Sequence, residues 1–391
     1  MLAGAGLTEG RLDEALAAFP SDTTAYYRTI RELGGRAGAF RDSTLQSVIV
    51  TGYDDCRRLL GADALSKKRL QFDAAGLPPV LAEVVSRAQA VIDLQMTFDD
   101  SDAAHRSHQS WTRQLRSSAQ ALDAIEADAA ALWRDFDSVR HDFYAALRRF
   151  VSRTVARTLA LDEADRERLF SLVYAYADFL DGKPATGQGL KAAVGAAMLA
   201  DFVAANFRRL SKCAHAPVDD VPRWIADYVL TLVAGHESTA YLLGVALVAG
   251  QGKPDVFATP RSIRLHLREA LRFDSPIQLV GRVTAAPVQL TSGCTIGGGE
   301  RVLLHVGAAN RDPAQFEAPD RFEPERKGRG ALSFGWGASR CVGLSLSLAQ
   351  ASLFLAAGAH VLAGRTLAVE EVTTAHGLAG RSFDRLRLAV V

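Results

Sequence analysis

Cysteine is scarce in this chain of 391 residues. Cys56, Cys213, Cys294 and Cys341 stand far apart, with no CxxC pair. That spacing excludes a disulfide framework or a zinc module and fits a reducing, cytoplasmic setting. An excess of one charge is also missing. Lys and Arg number 45 against 44 Asp and Glu, so nothing in the overall balance points to nucleic acid or an anionic membrane. The first twenty residues carry Glu9, Arg11, Asp13 and Glu14. They hold neither a signal-peptide apolar segment nor a run of membrane-spanning length. There is no internal repeat and no low-complexity linker, so one domain over 1–391 is expected. His108, His215, His236 and His360 have no partner at metal-ligand spacing, and none is assigned as a ligand.

What the chain does have is apolar bulk. Hydrophobic residues make up 48% of it, ample for a large core. Periodicity predicts helices over Asp22–Leu33 and Tyr53–Leu60, with strands near Gly38–Phe40 and Ser47–Thr51. From Leu115 to Ala249 the pattern is almost wholly helical, with breaks expected at Leu161–Glu163 and Asp181–Gly189. A helix over Arg261–Phe273 follows, then short strands near Val288–Leu290 and Arg301–Leu304. A Pro- and Arg-rich meander, Asp312–Gly330, leads to an apolar helix over Val342–Leu362 and a tail of short strands from Leu367. The expected class is mainly α with small β-sheets.

Ser333 to Gly343 is the most informative stretch. Its skeleton, Phe334, Gly335, Gly337, Cys341 and Gly343, reads F-G-x-G-x-x-x-C-x-G. Glycines admit positive φ and close backbone approach to a flat ligand. A glycine-rich turn before a buried structural cysteine is the plain alternative, and five fixed positions weigh against it. A second segment, Ala234-Gly-His-Glu-Ser-Thr239, places polar groups in succession inside an apolar helix, Ile225–Val248. Each such group needs a partner when buried, and a mid-helix Gly with hydroxyls marks a widened turn. Glu237-Ser-Thr capping a new helix is the alternative there. Glu269 and Arg272 sit at i and i+3 on a helix, where they can bridge.

The cysteine loop resembles the haem-thiolate loop of the cytochrome P450 family, and the other segments match that family in order. The resemblance runs over nearly the whole chain and is weak before about residue 90. It implies a single-domain P450 fold with haem b between a long distal helix and the loop, and Cys341 as the axial thiolate. A thiolate ligand pushes electron density toward a distal oxygen, and it persists where water is excluded and backbone N–H groups face the sulfur. Phe334 shields that sulfur, while Gly335, Gly337 and Gly343 line the haem. Ala234 lies against the cofactor, and Glu237 and Ser238 act as the acid and alcohol that relay protons to bound dioxygen. Ser238 stands where the family more often has Thr. Val233 and Val280 face the substrate. Glu269, Arg272 and Arg326 form a structural ion-pair set that braces the loop, with Arg321 the rival for its third member.

Arg282 and His105 are matched to haem propionates. Gln109 stands four residues after His105, where the family usually has Arg, with Arg113 a further turn along. Ser339 stands two before the cysteine, where His or Arg is common. Arg340 is then either a propionate ligand or a contact for a redox partner.

The family likeness implies a monooxygenase of the soluble bacterial kind, active in secondary metabolism. It would hydroxylate or epoxidise a small organic substrate, free or bound to a carrier protein. The chain has no flavin or iron–sulfur motif of its own. Two electrons would therefore come from a ferredoxin and its NAD(P)H-dependent reductase. Arg106, Arg113, Arg116, Arg326, Lys327, Arg329 and Arg340 are expected on the cysteine side, as a dock for that acidic partner or as ordinary surface charge. Oxidative coupling, or a haem-binding scaffold without turnover in a biosynthetic complex, are the other readings. Ser66–Leu94 and Tyr174–Leu199 would wall the pocket, with Gly182, Ala185, Gly187, Gly189 and Ala192 giving a flexible lid.

Overall fold

The computed structural model describes residues 7–12, 15, 23–62, 65–67, 75–116, 119–180, 188–213, 218–377 and 379–391. Most of the described chain is helical. The N-terminal part carries α1 (Thr23–Gly34), α2 (Tyr53–Leu60) and α3 (Pro79–Leu94). The middle is α4 (Asp102–Arg116), α5 (Ala119–Arg134), α6 (Phe143–Thr158), α7 (Glu163–Leu180) and α8 (Gln188–Ala205). Next come α9 (Val221–Ala234), α10 (Glu237–Ala249), α11 (Pro260–Phe273) and α12 (Leu344–Val361). Of the expected lid, Gly182, Ala185 and Gly187 lie outside the described residues, as do residues 68–74 of the first pocket wall. Gly189 and Ala192 fall within helix α8, where Ala192 is fully buried.

Local chemistry sets the ends of these helices. Ser101 accepts the Ala104 N–H at the start of α4, Asp142 that of Ala145 in α6, and Asp220 that of Arg223 in α9. Thr259 and Ser262 close a capping box on α11, with Pro260 at the first helical position. Ile263, His266, Leu267, Ala270 and Leu271 then form its buried stripe. Val221–Ala249 is long and apolar enough to cross a membrane, but 72% of its most apolar window is buried inside the protein. It is the core's central rod, interrupted at Gly235 and His236.

The main sheet is mixed and drawn from both ends of the chain. Its order is β1 (Thr8–Gly10), β2 (Ala39–Asp42), β3 (Ser47–Val50), β8 (Arg301–His305), β5 (Leu279–Thr284) and β4 (Leu65–Ser66). β3 and β8 run parallel, with Val48, Ile49 and Val50 opposite Val302, Leu303 and Leu304. β5 and β8 are antiparallel, and set Val280 opposite Leu304 and Arg282 opposite Val302. β6 (Val288–Gln289) pairs with β7 (Thr295–Ile296). The tail is one hairpin of two ten-residue strands, β9 (Leu367–His376) and β10 (Arg381–Val390), rather than several short ones.

Two contacts position the site. Trp133 of α5 stacks on Phe136 and donates its indole N–H to the Phe354 carbonyl of α12 at 2.9 Å. The α3–α4 joint is fastened to α9. Arg223 reaches the Leu94 carbonyl and Asp99, each at 2.8 Å, while Asp227 accepts the Met96 N–H at 2.6 Å and the Ser107 hydroxyl at 2.5 Å.

Candidate active site

The cysteine loop rises from the meander into α12. Gly335 and Gly337 take φ of +71° and +69°, a conformation that L side chains resist. The Leu332 carbonyl accepts from Gly335, and the Phe334 carbonyl accepts the Cys341 N–H, both at 2.8 Å. Cys341 is exposed, and lines both a cavity of ≈ 90 Å³ and a neighbouring surface cleft of ≈ 570 Å³. The surrounding protein pushes its thiol pKa up by desolvation, and the N–H groups of Gly343 and Leu344 pull it back down. Phe334 and Gly343 line the same cavity, and Phe334 packs on the main core.

Across the cavity lies the interrupted central helix. It does not run unbroken through Ile225–Val248. α9 ends at Ala234, Gly235 and His236 form a turn, and α10 begins at Glu237 without a side-chain cap. Ala234 is exposed on an otherwise buried rod, because it faces the cavity that also exposes Cys341. Val233, expected to face the substrate, is buried in the core at 1% exposure and does not line this cavity. Val280 lies partly buried on β5 against the sheet's own core. The Ser238 hydroxyl lines the cavity and bonds back to the Ala234 carbonyl at 3.2 Å. Thr239 lines it too, and shares a 3.0 Å hydrogen bond with Ser347 of α12.

Glu237 goes elsewhere. Its carboxylate accepts from the Tyr144 hydroxyl at 2.7 Å, and its second oxygen is 3.1 Å from Nε of Arg148. Both partners come from α6. Arg148 in turn stacks on Tyr174 of α7, 3.9 Å from the ring centroid. Sequence alone did not reveal these partners, since a Tyr and an Arg four apart on a helix carry no distinguishing mark. His236 is buried, and desolvation lowers its pKa to about 4, so it stays neutral.

The brace behind the loop is compact. Arg272 holds Glu269 through two bonds of 2.9 and 2.7 Å, and Nε of Arg326 lies 3.3 Å from the same carboxylate. Arg321 contributes its carbonyl, which accepts from both Arg272 and Arg326 at 3.0 Å. This answers the rivalry: Arg326 brings the charge and Arg321 the backbone.

The remaining cofactor contacts are uneven. Arg282 is buried, and desolvation lowers its pKa against the opposing pull of Asp100. Its guanidinium donates to the adjacent Gly281 carbonyl at 2.9 Å, which leaves donors for an anion. His105 is occupied by Gln109 at 2.9 Å. The expected basic cluster is smaller than the sequence implies. Arg326 is consumed by Glu269, and Arg329 is tied to Asp54. Arg113, Arg116 and Arg340 do meet in the larger cleft, together with His105 and His108. Taken together, a cavity-lining thiol faced by N–H groups, a bare Ala234 opposite and a buried guanidinium short of an anion fit an axially ligated haem.

Comparison with known proteins agrees. A family model described as Cytochrome P450 matches residues 263–358, from α11 through the loop into α12. Cytochrome P450 144 of Mycobacterium tuberculosis is 32% identical over 267 residues, which span 63% of this chain and 60% of that protein. The chain therefore aligns with less than two thirds of that relative's length. The solved haem domain of a Tepidiphilus thermophilus P450 superposes with a TM-score of 0.81 at 20% identity, covering 95% of this chain and 94% of the other. P450BioI, solved in complex with a hexadec-9Z-enoic acid ligated acyl carrier protein, gives 0.77 at 20% identity, covering 95% and 99%. At such identity these two likenesses speak for the fold.

Proposed function

The chain belongs to the cytochrome P450 superfamily, and from that premise we propose that it is a haem-dependent monooxygenase acting on a small organic molecule. The observation that carries this reading is the shared cavity of Cys341 and Ala234, which opens between a buried helix and a loop that turns N–H groups toward the sulfur. Haem bound there would supply oxygen activation, with the electron-rich thiolate favouring O–O cleavage. Cys341 would hold the iron, Arg282 a propionate, and the Glu269–Arg272–Arg326 set would keep the loop in place. The residues 1–391 would act as one haem domain.

The chain's own proton machinery is split in two. The Ser238 hydroxyl faces the cavity, where it can hold and pass a proton. Glu237 is buried beside Arg148, whose side chain is 31% exposed and so reaches solvent. The guanidinium of Arg148 offers the carboxylate a charge partner, and a step from Glu237 to Ser238 requires the carboxylate to leave Tyr144. Electrons would come from a ferredoxin-type partner at the cleft of Arg113, Arg116 and Arg340, since basic groups steer acidic partners. The substrate is hydroxylated or epoxidised, and a carrier-bound form is one the fold neighbour's complex brings into view.

The deciding experiment is the spectrum of the reduced protein under carbon monoxide. A strongly red-shifted Soret band supports thiolate ligation by Cys341. A protein that takes up no haem sinks the reading. A second reading, a haem-binding scaffold without turnover, draws on Gln109 turned to His105 and Glu237 turned from the cavity. Glu237→Gln separates the two: turnover lost with haem retained supports catalysis.

A further inference from the structure

We propose that His108 is a positioning residue for the proximal thiolate, acting through the peptide that carries it. Its Nε2 lies 2.8 Å from the carbonyl of Arg340, the residue before Cys341. A carbonyl only accepts, so Nε2 carries the proton and donates. The bond therefore fixes the plane of the Arg340–Cys341 peptide, and rotation of that plane would swing the sulfur. This inference rests on the haem-thiolate reading.

The loop needs such a hold. Its internal hydrogen bonds use the N–H groups of Gly335, Arg340 and Cys341 and leave the Arg340 carbonyl to an outside donor. Gly335 and Gly337 make the loop's backbone permissive. On its far flank the loop is already clamped by α2. The Arg57 guanidinium covers the Trp336 ring at 4.3 Å, and Gly61 lies so near Gly337 that a Cβ on the latter would stand 3.1 Å from the Gly61 Cα. On the near flank, Gln109 is spent on His105 and Ser339 is short. From α4, His108 reaches across to the loop backbone. The Thr112 hydroxyl bonds the His108 carbonyl at 2.8 Å and ties that residue into its own helix. The loop is thus held between α2 and α4, with the His108 imidazole bonded to its backbone from the α4 side.

The test compares wild type, His108→Ala and His108→Gln at one pH, reading the reduced carbonyl spectrum and the reduction potential of the loaded protein. In His108→Ala the ratio of thiol-ligated to thiolate-ligated haem is expected to rise about fivefold, the worth of one lost hydrogen bond, and the potential shifts with it. His108→Gln, whose amide can donate from a similar place, is expected to return the ratio to within about twofold of wild type. An unchanged ratio in His108→Ala overturns the proposal. Equal loss in both variants also overturns it, because the ring's bulk and not its donor would then matter. A second readout needs no haem: amide exchange over residues 334–343 in the apoprotein is expected to quicken in His108→Ala and not in His108→Gln. If wild type binds haem without thiolate ligation, the functional reading falls while this exchange experiment still decides the tether. Should His108→Ala not fold, His108→Met, of similar size and without a donor, takes its place in both measurements.

Discussion

Glu237 shows how a catalytic candidate can be legible by identity and illegible by geometry. Its place in the run Ala234–Thr239 marks it as an acid, but nothing in the sequence points to Tyr144 and Arg148, 93 and 89 positions earlier in the chain, as the groups that hold it. Replacing Glu237 by Gln is expected to cut turnover about a hundredfold while the haem spectrum persists. Steady-state rates beside the carbonyl spectrum check this. Tyr144→Phe removes one hold on the carboxylate, and is expected to change the rate of turnover with less effect on haem content. A rate identical to wild type would show that the Tyr144 bond does not restrain the acid.

Asp227 offers a prediction in stability rather than rate. Burial raises its pKa to about 6, against the weaker downward pull of Ser107, the Met96 N–H and Arg223. A carboxyl whose folded pKa is raised favours the folded state while protonated, and that advantage fades as pH climbs from about 4 through 6. Above pH 7 the buried carboxylate costs up to about 3 kcal/mol relative to an unshifted one. Asp227→Asn keeps an acceptor for Met96 and is expected to raise Tm more at pH 7.5 than at pH 5. Calorimetry at the two pH values is the check, and an equal shift at both would contradict it.

Among the elements, those with a strong helical period were readable. Tyr53–Leu60 has the expected bounds, and Pro260–Phe273 begins one residue before the expected Arg261. The central rod was readable in extent, and its break at Gly235 and His236 falls in the run that admits a widened turn or a new helix from Glu237, though the apolar pattern runs on through it. The expected strands at 38–40, 47–51, 288–290 and 301–304 are present as β2, β3, β6 and β8, while β5 was not foreseen. β5 overlaps the segment that attracts attention for Arg282, and its identity depends on pairing with β8, information held some twenty residues away. The ten-residue β9 and β10 read as fragments because bulges disturb their alternation.

Helix contacts give a sharper prediction than helix boundaries. A Cβ on Gly358 of α12 would stand 2.6 Å from the Trp133 ring of α5. Trp133 is wedged between Phe136 and Phe354, so it has nowhere to go. Gly358→Ala is expected to cost about 1–3 kcal/mol by overpacking. Chemical denaturation measures it. Glu269→Ala should cost more, about 3–5 kcal/mol, since it strands Arg272 without its carboxylate at 3% exposure. Its haem content should fall together with its stability.

At the scale of the whole molecule, near-neutral charge hides a local asymmetry. Net charge is +1, but Arg113, Arg116 and Arg340 gather at one cleft beside Cys341. The rate of reduction by an acidic iron–sulfur partner is expected to fall about tenfold from low to high salt. Stopped-flow reduction across ionic strength tests it, and a flat response would remove this cleft as the dock.

The main sheet has a consequence for how the chain is made. β2 and β3 leave the ribosome early and can pair with each other, but the second partner of β3 is β8, about 250 residues later. Until that strand emerges, Val48, Ile49 and Val50 present an open edge of β-branched residues. Such an edge is a template for pairing with the wrong chain, and contacts of long sequence separation form slowly. Nascent chains stalled before residue 301 should therefore bind holdase chaperones through the segment 47–50, and release them once β8 has been synthesised.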